Sequence, residues 1–503
     1  MSEHRKDQLF REVFVNDFEP GPGAGSEPTA YDEVPYVSTA RASTSPVRME
    51  AIARLLGVPA AGANDAFVLE VGCGDGGNLI PLAVALPGSR FVGIDLAASA
   101  IAKARAAAVA AGVANVRFET ADLAALPGSH TGFDYVVAHG VYSWVPGPLR
   151  AALLELLRQR MAPNGVGFIS YNALPGGHFR GAIRSMLLRH TAAISNPAEK
   201  IRQARAFLAM LQLAPDAAGE GYRSLLQSEI GIAVGSSDFL LFHDDLAEVN
   251  EAYYFTEFAA EAGRHGLRFL AEANFADMSL DALPATLAAT LSSLAERDFI
   301  LKEQYLDYIR CRGFRQTLLC HEGVAVDRTI SLERMRPFRV AGLLERRAVA
   351  AGSEFRSVAG SVLATNDAAT VAALERVAAA HPKSVPFAAL AAGLDEAAAE
   401  ALAEAIYRAF AAGVVQLRLF EPAVAAVPGE RPRASAWARA RAPLGRVVNL
   451  LHEGVAVDDD AAAVLALLDG TRTGDEVAKA LGRDAAAVHA EIAGLARHGL
   501  LLA

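Results

Sequence analysis

Three carboxylates and one glycine-dense turn hold the chemistry that this 503-residue sequence can do. The turn is Gly72-Cys73-Gly74-Asp75-Gly76-Gly77, preceded by the apolar, β-branched run Phe67–Val71 and followed by a helical pattern through Leu79, Leu82 and Leu86. Glycines at that spacing let the backbone bend sharply and let a ligand lie against bare peptide. Glu70 stands two residues before Gly72. Asp95 closes a second apolar run, Arg90–Ile94, about twenty residues beyond the glycines, where an acid can hold both hydroxyls of a ribose. Asp122 follows a third run, Val116–Glu119, and is placed to meet an adenine amino group. Gly72-x-Gly74-x-x-Gly77 also satisfies the dinucleotide pattern, so a nicotinamide ligand competes at this point.

These residues need a parallel sheet to bring them to one edge. Strand and helix patterns alternate as strand 90–94, helix 97–111, strand 116–119, strand 133–138, helix 148–160 and strand 166–171, which predicts a sheet covered on both faces. The fourth strand runs into Ala138-His139-Gly140-Val141-Tyr142-Ser143-Trp144, and the fifth into Ser170-Tyr171-Asn172. A histidine and aromatic rings at such strand ends can wall an acceptor pocket and attract a cationic amine to a ring face. Residues 1–30 read as a short amphipathic helix and a Gly/Pro segment. Tyr31-Asp32-Glu33-Val34-Pro35-Tyr36 then forms an aromatic and acidic cluster, suited to a lid over the ligand or to a tether.

Residues 177–262 turn almost wholly helical, with Asn250 expected to cap a helix striped by Tyr254, Phe255, Phe258, Ala259 and Ala262. Strand-like pieces Leu267–Phe275 and Phe314–Cys320, separated by a helix at 296–311, are expected to finish the sheet. That makes the helical block an insertion. In the last third HEGVAVD occurs at His321–Asp327 and again at His452–Asp458. Two stretches, 355–421 and 446–503, share an order of helix, turn, helix, helix and strand, which predicts two winged-helix-like units joined by a linker at 421–445. Arg497 is the one strong base on Ala485–Arg497, and Asp395–Ala411 is acidic, so these units are expected to contact protein and no nucleic acid.

Composition sets outer bounds. Net charge is −10, which supplies no global attraction for nucleic acid or acidic membranes. Three cysteines make no disulfide framework, and no apolar run reaches bilayer length, so a cytoplasmic protein without membrane insertion is expected. His243-Asp244-Asp245 lacks further ligands at metal spacing, and capping and hydrogen-bonding roles are expected there in place of a metal.

Taken together, YDEVPY, LEVGCGDGGN with Asp95 and Asp122, FDYVVAHGVYSWVP, SYNALPGG and FHDDLAEVNEAYYFTEFAAEAGRHGLRFLAEA resemble class I S-adenosylmethionine-dependent methyltransferases that carry a regulatory domain. Rickettsial protein-lysine methyltransferases belong to that group. An acid at position 70 suits a ligand bearing an ammonium and a sulfonium better than one bearing a pyrophosphate. The resemblance implies an α/β fold: a Rossmann-like seven-stranded methyltransferase sheet with a helical insertion, then a helix-rich C-terminal region of two winged-helix-like units. Its expected divisions are 1–30, 31–330 with the insertion at about 177–262, 331–445 and 446–503. It implies S-adenosyl-L-methionine as cofactor and S-adenosyl-L-homocysteine as product. The implied cofactor neighbours are Tyr31, Glu70, Gly72, Cys73, Gly74, Asn78, Asp95, Leu96, Ala121, Asp122, Leu123 and His139. The implied acceptor side is Tyr36, His139, Tyr142, Trp144 and Tyr171. A protein lysine is the expected acceptor; a small-molecule amine or hydroxyl, and a non-catalytic cofactor-sensing module, are the rival readings. The C-terminal units are expected to hold a protein substrate or to build an oligomer interface, a homodimer in the simplest case.

Overall fold

The computed structural model describes residues 34, 36–126, 130–213, 219–350 and 352–503. Its centre is an eight-stranded sheet: β1 (Phe67–Val71), β2 (Arg90–Asp95), β3 (Val116–Thr120), β4 (Phe133–Ala138), β5 (Met161–Ala173), β6 (Ala252–Tyr253), β7 (Leu267–Glu272) and β8 (Phe314–His321). The order is β3-β2-β1-β4-β5-β8-β7, with the two-residue β6 beside β5. Strands β1 to β5 run parallel, and β8 lies antiparallel between β5 and β7. Parallel strands buried on both faces alternate their side chains between two apolar layers. Val68, Phe91, Phe118, Tyr135, Val137 and Phe168 face the helices Pro46–Leu55, Leu79–Ala85 and Ala98–Ala111. Leu69, Val71, Val92, Ile94, Val136 and Ile169 face Gly147–Arg160 and Phe255–Arg264.

Because Gly167 of β5 pairs with Leu319 of β8, everything between them is inserted into one sheet. The inserted helices Gly177–His190, Pro197–Gln212 and Glu220–Gly235 share an apolar core of their own, built on Ile183, Leu187, Leu208 and Ile230. Asn250 does not cap the next helix. Tyr254 occupies that position, with Glu257 accepting from the Tyr254 N–H, and Asn250 instead joins Asn172 to the Asp244 carbonyl. The strand expected to reach Phe275 stops at Glu272, and Phe275–Met278 coils into a 3₁₀ turn. Under this end of the sheet lies a set of buried charges. Arg315 of β8 is wholly buried, with its guanidinium 2.6 Å from Glu272, 2.8 Å from Asp307 and 3.2 Å from Glu303. Lys302 adds a second cation 2.7 Å from Glu303.

The C-terminal third begins with short strands at Arg339–Ala341, Val385–Pro386 and Gln416–Arg418 around the helices Ala368–Ala380 and Glu396–Ala411, so its first unit reaches back beyond residue 355. The last unit is a hairpin, Arg446–Val448 with Gly454–Ala456, followed by the helices Asp459–Leu467, Gly474–Leu481 and Ala485–Arg497. The segment expected to link the two units is packed. Ala434, Ala438 and Ala442, spaced by helical turns, enter the core of the last unit, and Ala434 bridges to Leu501. The two HEGVAVD copies are not structural equivalents: one runs off the end of β8, the other spans the tip and return strand of the last hairpin. Among the described residues no single helix is long and apolar enough to cross a membrane.

Candidate active site

The carboxyl ends of β1 to β4 form one edge, and Glu70, Asp95, Asp122 and His139 stand at it. After β1 the chain turns back on β2: the Gly72 and Cys73 N–H groups both donate to the Ile94 carbonyl, at 2.9 and 3.1 Å. The Gly74 N–H donates to Asp95 Oδ2 at 2.9 Å, and the Ala97 N–H to Asp95 Oδ1 at 2.9 Å, so Asp95 is locked beside the turn. Asp122, one strand further out, is exposed and accepts from the Ala124 N–H. Leu96 is exposed, Cys73 is buried, and Ala121 and Leu123 are half-buried against the apolar layer of Val92 and Leu153. Tyr31 and Asp32 lie outside the described residues.

Glu70 sits beneath the turn, 4 % exposed. Its Oε1 accepts from Asn78 Nδ2 at 2.9 Å, while Oε2 is buried with no partner. Burial, with Asp95 nearby, pushes the Glu70 carboxyl up to about 8 against the pull of Asn78. A buried oxygen without a donor costs on the order of 1–3 kcal/mol. A cation placed there removes that cost.

Bare peptide in the turn is used partly by the chain itself. Ser38 lies across it: the Ser38 N–H donates to Asp75 Oδ1 and the Asp75 N–H to Ser38 Oγ, each at 3.1 Å. A Cβ on Gly74 would come within 2.4 Å of Ser38 Oγ, and one on Gly77 within 2.2 Å of the Ser38 carbonyl oxygen. The segment from Tyr36 to Arg41 is therefore a strap seated on the turn.

On the β4 side His139 is half-buried, its ring 6.1 Å from Phe168 and 6.2 Å from Phe314. Burial, with the positive charge of Arg41, pushes its pKa down to about 4, so the imidazole is neutral at pH 7 and a weak base. Tyr36 packs edge-on to Phe239 and His243, at 5.3 and 5.9 Å between ring centres. Its phenol is raised by burial and then by Asp244, and Arg41 opposes that shift. Asp244 itself is pushed up to about 6 by burial and by Asp245. Arg41 is thus a charge felt by Tyr36, His139 and Asp244 alike. Sequence reasoning missed Ser38 and Arg41, and gave Asp244 only a capping and hydrogen-bonding role. Asp244 lies in a π-helical turn, Leu241–Asp245, a local geometry frequent at functional sites. His243 Nε2 bonds the Val34 carbonyl at 2.6 Å, the hydrogen-bonding role expected of it.

Two acceptor-side expectations are corrected. Tyr171 is wholly buried, stacked on Phe258 at 4.1 Å and bonded to Thr317, because it shares a strand face with Ile169 and points into the apolar layer. Tyr142 is 3 % exposed, with Tyr171, Tyr253 and Phe258 against its ring, so it offers no open face to a cation. Trp144 is half-buried, and its indole N–H is buried without a partner.

Three family models match in chain order: "Methyltransferase domain" over 68–165, "Predicted methyltransferase regulatory domain" over 237–321, and "PKMT, C-terminal winged helix domain" over 430–497. The uncharacterized protein RP028 of Rickettsia prowazekii is 32 % identical over 241 residues, 48 % of this chain and 96 % of that protein. The chain belongs to the S-adenosylmethionine-dependent methyltransferases that carry a regulatory domain. Uncharacterized protein RP789 of the same organism is 36 % identical over 320 residues, covering 64 % of this chain, and the chain spans 58 % of that relative's length. PKMT2 from Rickettsia typhi is 25 % identical, with a TM-score of 0.81, covering 93 % of this chain and all of that one. The same protein in complex with AdoHcy superposes at a TM-score of 0.82 with 24 % identity over the same shares. The family's cofactor is S-adenosylmethionine and its product S-adenosylhomocysteine. This edge fits that group: the unpartnered Glu70 oxygen suits its cationic end, and Asp95 borders the same turn.

Proposed function

We propose that this methyltransferase N-methylates a lysine side chain of a protein, with the cofactor along the β1–β3 edge and the acceptor amine entering between the strap and β4. When bound, the cofactor supplies a methyl group already activated by its sulfonium. The protein therefore aligns the nucleophile, excludes water and removes a proton from the incoming ammonium. Glu70 and Asp95 would hold the cofactor. Asp244 would first pair with the lysine ammonium and then take its proton. The neutral His139 would border the amine without repelling it as an imidazolium would.

The observation that carries this reading is the Asp244 carboxyl acting on Tyr36 and Arg41 at the strap, with its pKa pushed up to about 6, while the same Arg41 acts on His139. The likeness to PKMT2 over 93 % of the chain supports it. Incubation with methyl-labelled cofactor and a cell extract tests it: label is expected in protein, released on hydrolysis as methylated lysine. Label confined to small molecules, or cofactor binding without turnover, would overturn it.

A further inference from the structure

The second HEGVAVD copy plays no part in the site so far, yet its histidine reaches the site. His452 sits at the tip of the hairpin between Val448 and Gly454, in the unit that closes the chain, and is 2 % exposed. Its Nε2 lies 2.9 Å from Oδ1 of Asn78, a contact spanning 374 residues of sequence. The same Oδ1 accepts from the Arg41 N–H at 3.0 Å. A backbone N–H only donates, so Oδ1 is the oxygen, and His452 must donate to it from a protonated Nε2. Asn78 Nδ2 then donates to Thr44 Oγ1 at 3.0 Å and to Glu70 Oε1 at 2.9 Å. All four hydrogen-bonding positions of the amide are filled, one of them from the C-terminal unit.

The hairpin tip is built to make that contact. His452 has φ +60, a left-handed backbone that is uncommon outside glycine. Asn449 holds it there: Oδ1 accepts from the N–H groups of Leu451 and Glu453 at 2.9 and 2.8 Å, and Nδ2 donates to the His498 carbonyl at 2.9 Å. Glu453 ties the tip to the catalytic half, 3.1 Å from Arg48, and accepts from Gln416 at 2.6 Å. Burial, with Arg48 adding, pushes the His452 imidazole down to about 3, so the ring is neutral and carries one proton. That proton is committed to Asn78, and Nδ1 is left buried without a partner. A ring used only for packing has no need of this arrangement.

We propose that His452 is a positioning residue for the cofactor site: through Asn78 it fixes the carboxylate of Glu70, so that cofactor affinity depends on the seating of the C-terminal winged-helix unit. This rests on the assignment of Glu70 to the cofactor. The test compares full-length His452→Met with His452→Gln, two unbranched side chains that bear the same left-handed backbone strain, of which only Gln keeps an N–H donor. Calorimetric titration with S-adenosylhomocysteine should show His452→Met weakened about tenfold, the loss of about one net hydrogen bond. His452→Gln should stay within about threefold of wild type, while the two variants melt at the same temperature. Equal affinities for the two variants, or losses that track melting temperature, would overturn the proposal. Glu70→Gln separates the layers. If it weakens binding while His452→Met does not, the relay is wrong and the Glu70 assignment stands; if it changes nothing, the assignment falls and the relay with it.

Discussion

Two sets of buried carboxylates in this molecule are treated in opposite ways. Around Arg315, the acids Glu272, Glu303 and Asp307 are each buried and each meet a guanidinium or ammonium within 3.2 Å. Around the glycine turn, Glu70 is also buried, with one amide donor on one oxygen and nothing on the other. A charge that serves the fold has to be neutralised inside the fold, since an uncompensated buried ion costs several kcal/mol. A charge kept for a ligand is left short of a partner, and its shifted pKa records the deficit. Between these two places, paired charge belongs to the architecture and the unpaired oxygen to the site.

The sharpest break of this contrast comes from removing the cation that serves three acids. Arg315→Met should cost about 3–5 kcal/mol of stability, seen as a large drop in the denaturant midpoint, because it strands Glu272, Glu303 and Asp307. A loss below about 1 kcal/mol would mean the cluster is not paired as described. Next, Asp244→Asn should lower turnover about 100-fold in single-turnover methyl transfer while leaving S-adenosylhomocysteine affinity and melting unchanged. A parallel loss of cofactor affinity would move Asp244 to the cofactor side. The smallest change is expected from Tyr142→Phe, with turnover within about twofold of wild type, because the ring is a packing element whose shape phenylalanine keeps. A tenfold fall would restore its hydroxyl to the acceptor side.

Much of this was legible before the fold was known, where local rules decide the outcome. The glycine turn announced the carboxyl edge of β1, and the spacing of Asp95 and Asp122 announced the next two strand ends. The closing strands of the sheet were legible in the two strand-like pieces Leu267–Phe275 and Phe314–Cys320. What was not legible depended on direction or on distance. Tyr171 read as a rim residue because it ends a strand, but side-chain alternation turned it inward with Ile169. The segment 421–445 read as linker from its prolines and arginines, yet its alanines at helical spacing pack a core. Asp244 was hidden because a π-helical turn sets its direction, and no short pattern encodes one. His452 touches Asn78 across 374 residues, and only the folded chain brings that hairpin to the turn.

Proton linkage tests the centre of this account. With its carboxyl raised to about 8, Glu70 keeps its proton in the folded, cofactor-free protein at pH 7, whereas the unfolded chain has lost it above about 4.5. The fold alone therefore loses stability as pH rises from about 4.5 to 8, and a cationic ligand restores it by favouring the ionised form. Binding of S-adenosylhomocysteine should release a proton from Glu70 at pH 7 and strengthen as pH approaches 8. Calorimetric titration at pH 7 in two buffers of different ionisation heat counts that proton. Wild type should release it and Glu70→Gln should not; the same proton count in both proteins would contradict the claim that the unpartnered oxygen of Glu70 waits for the cofactor.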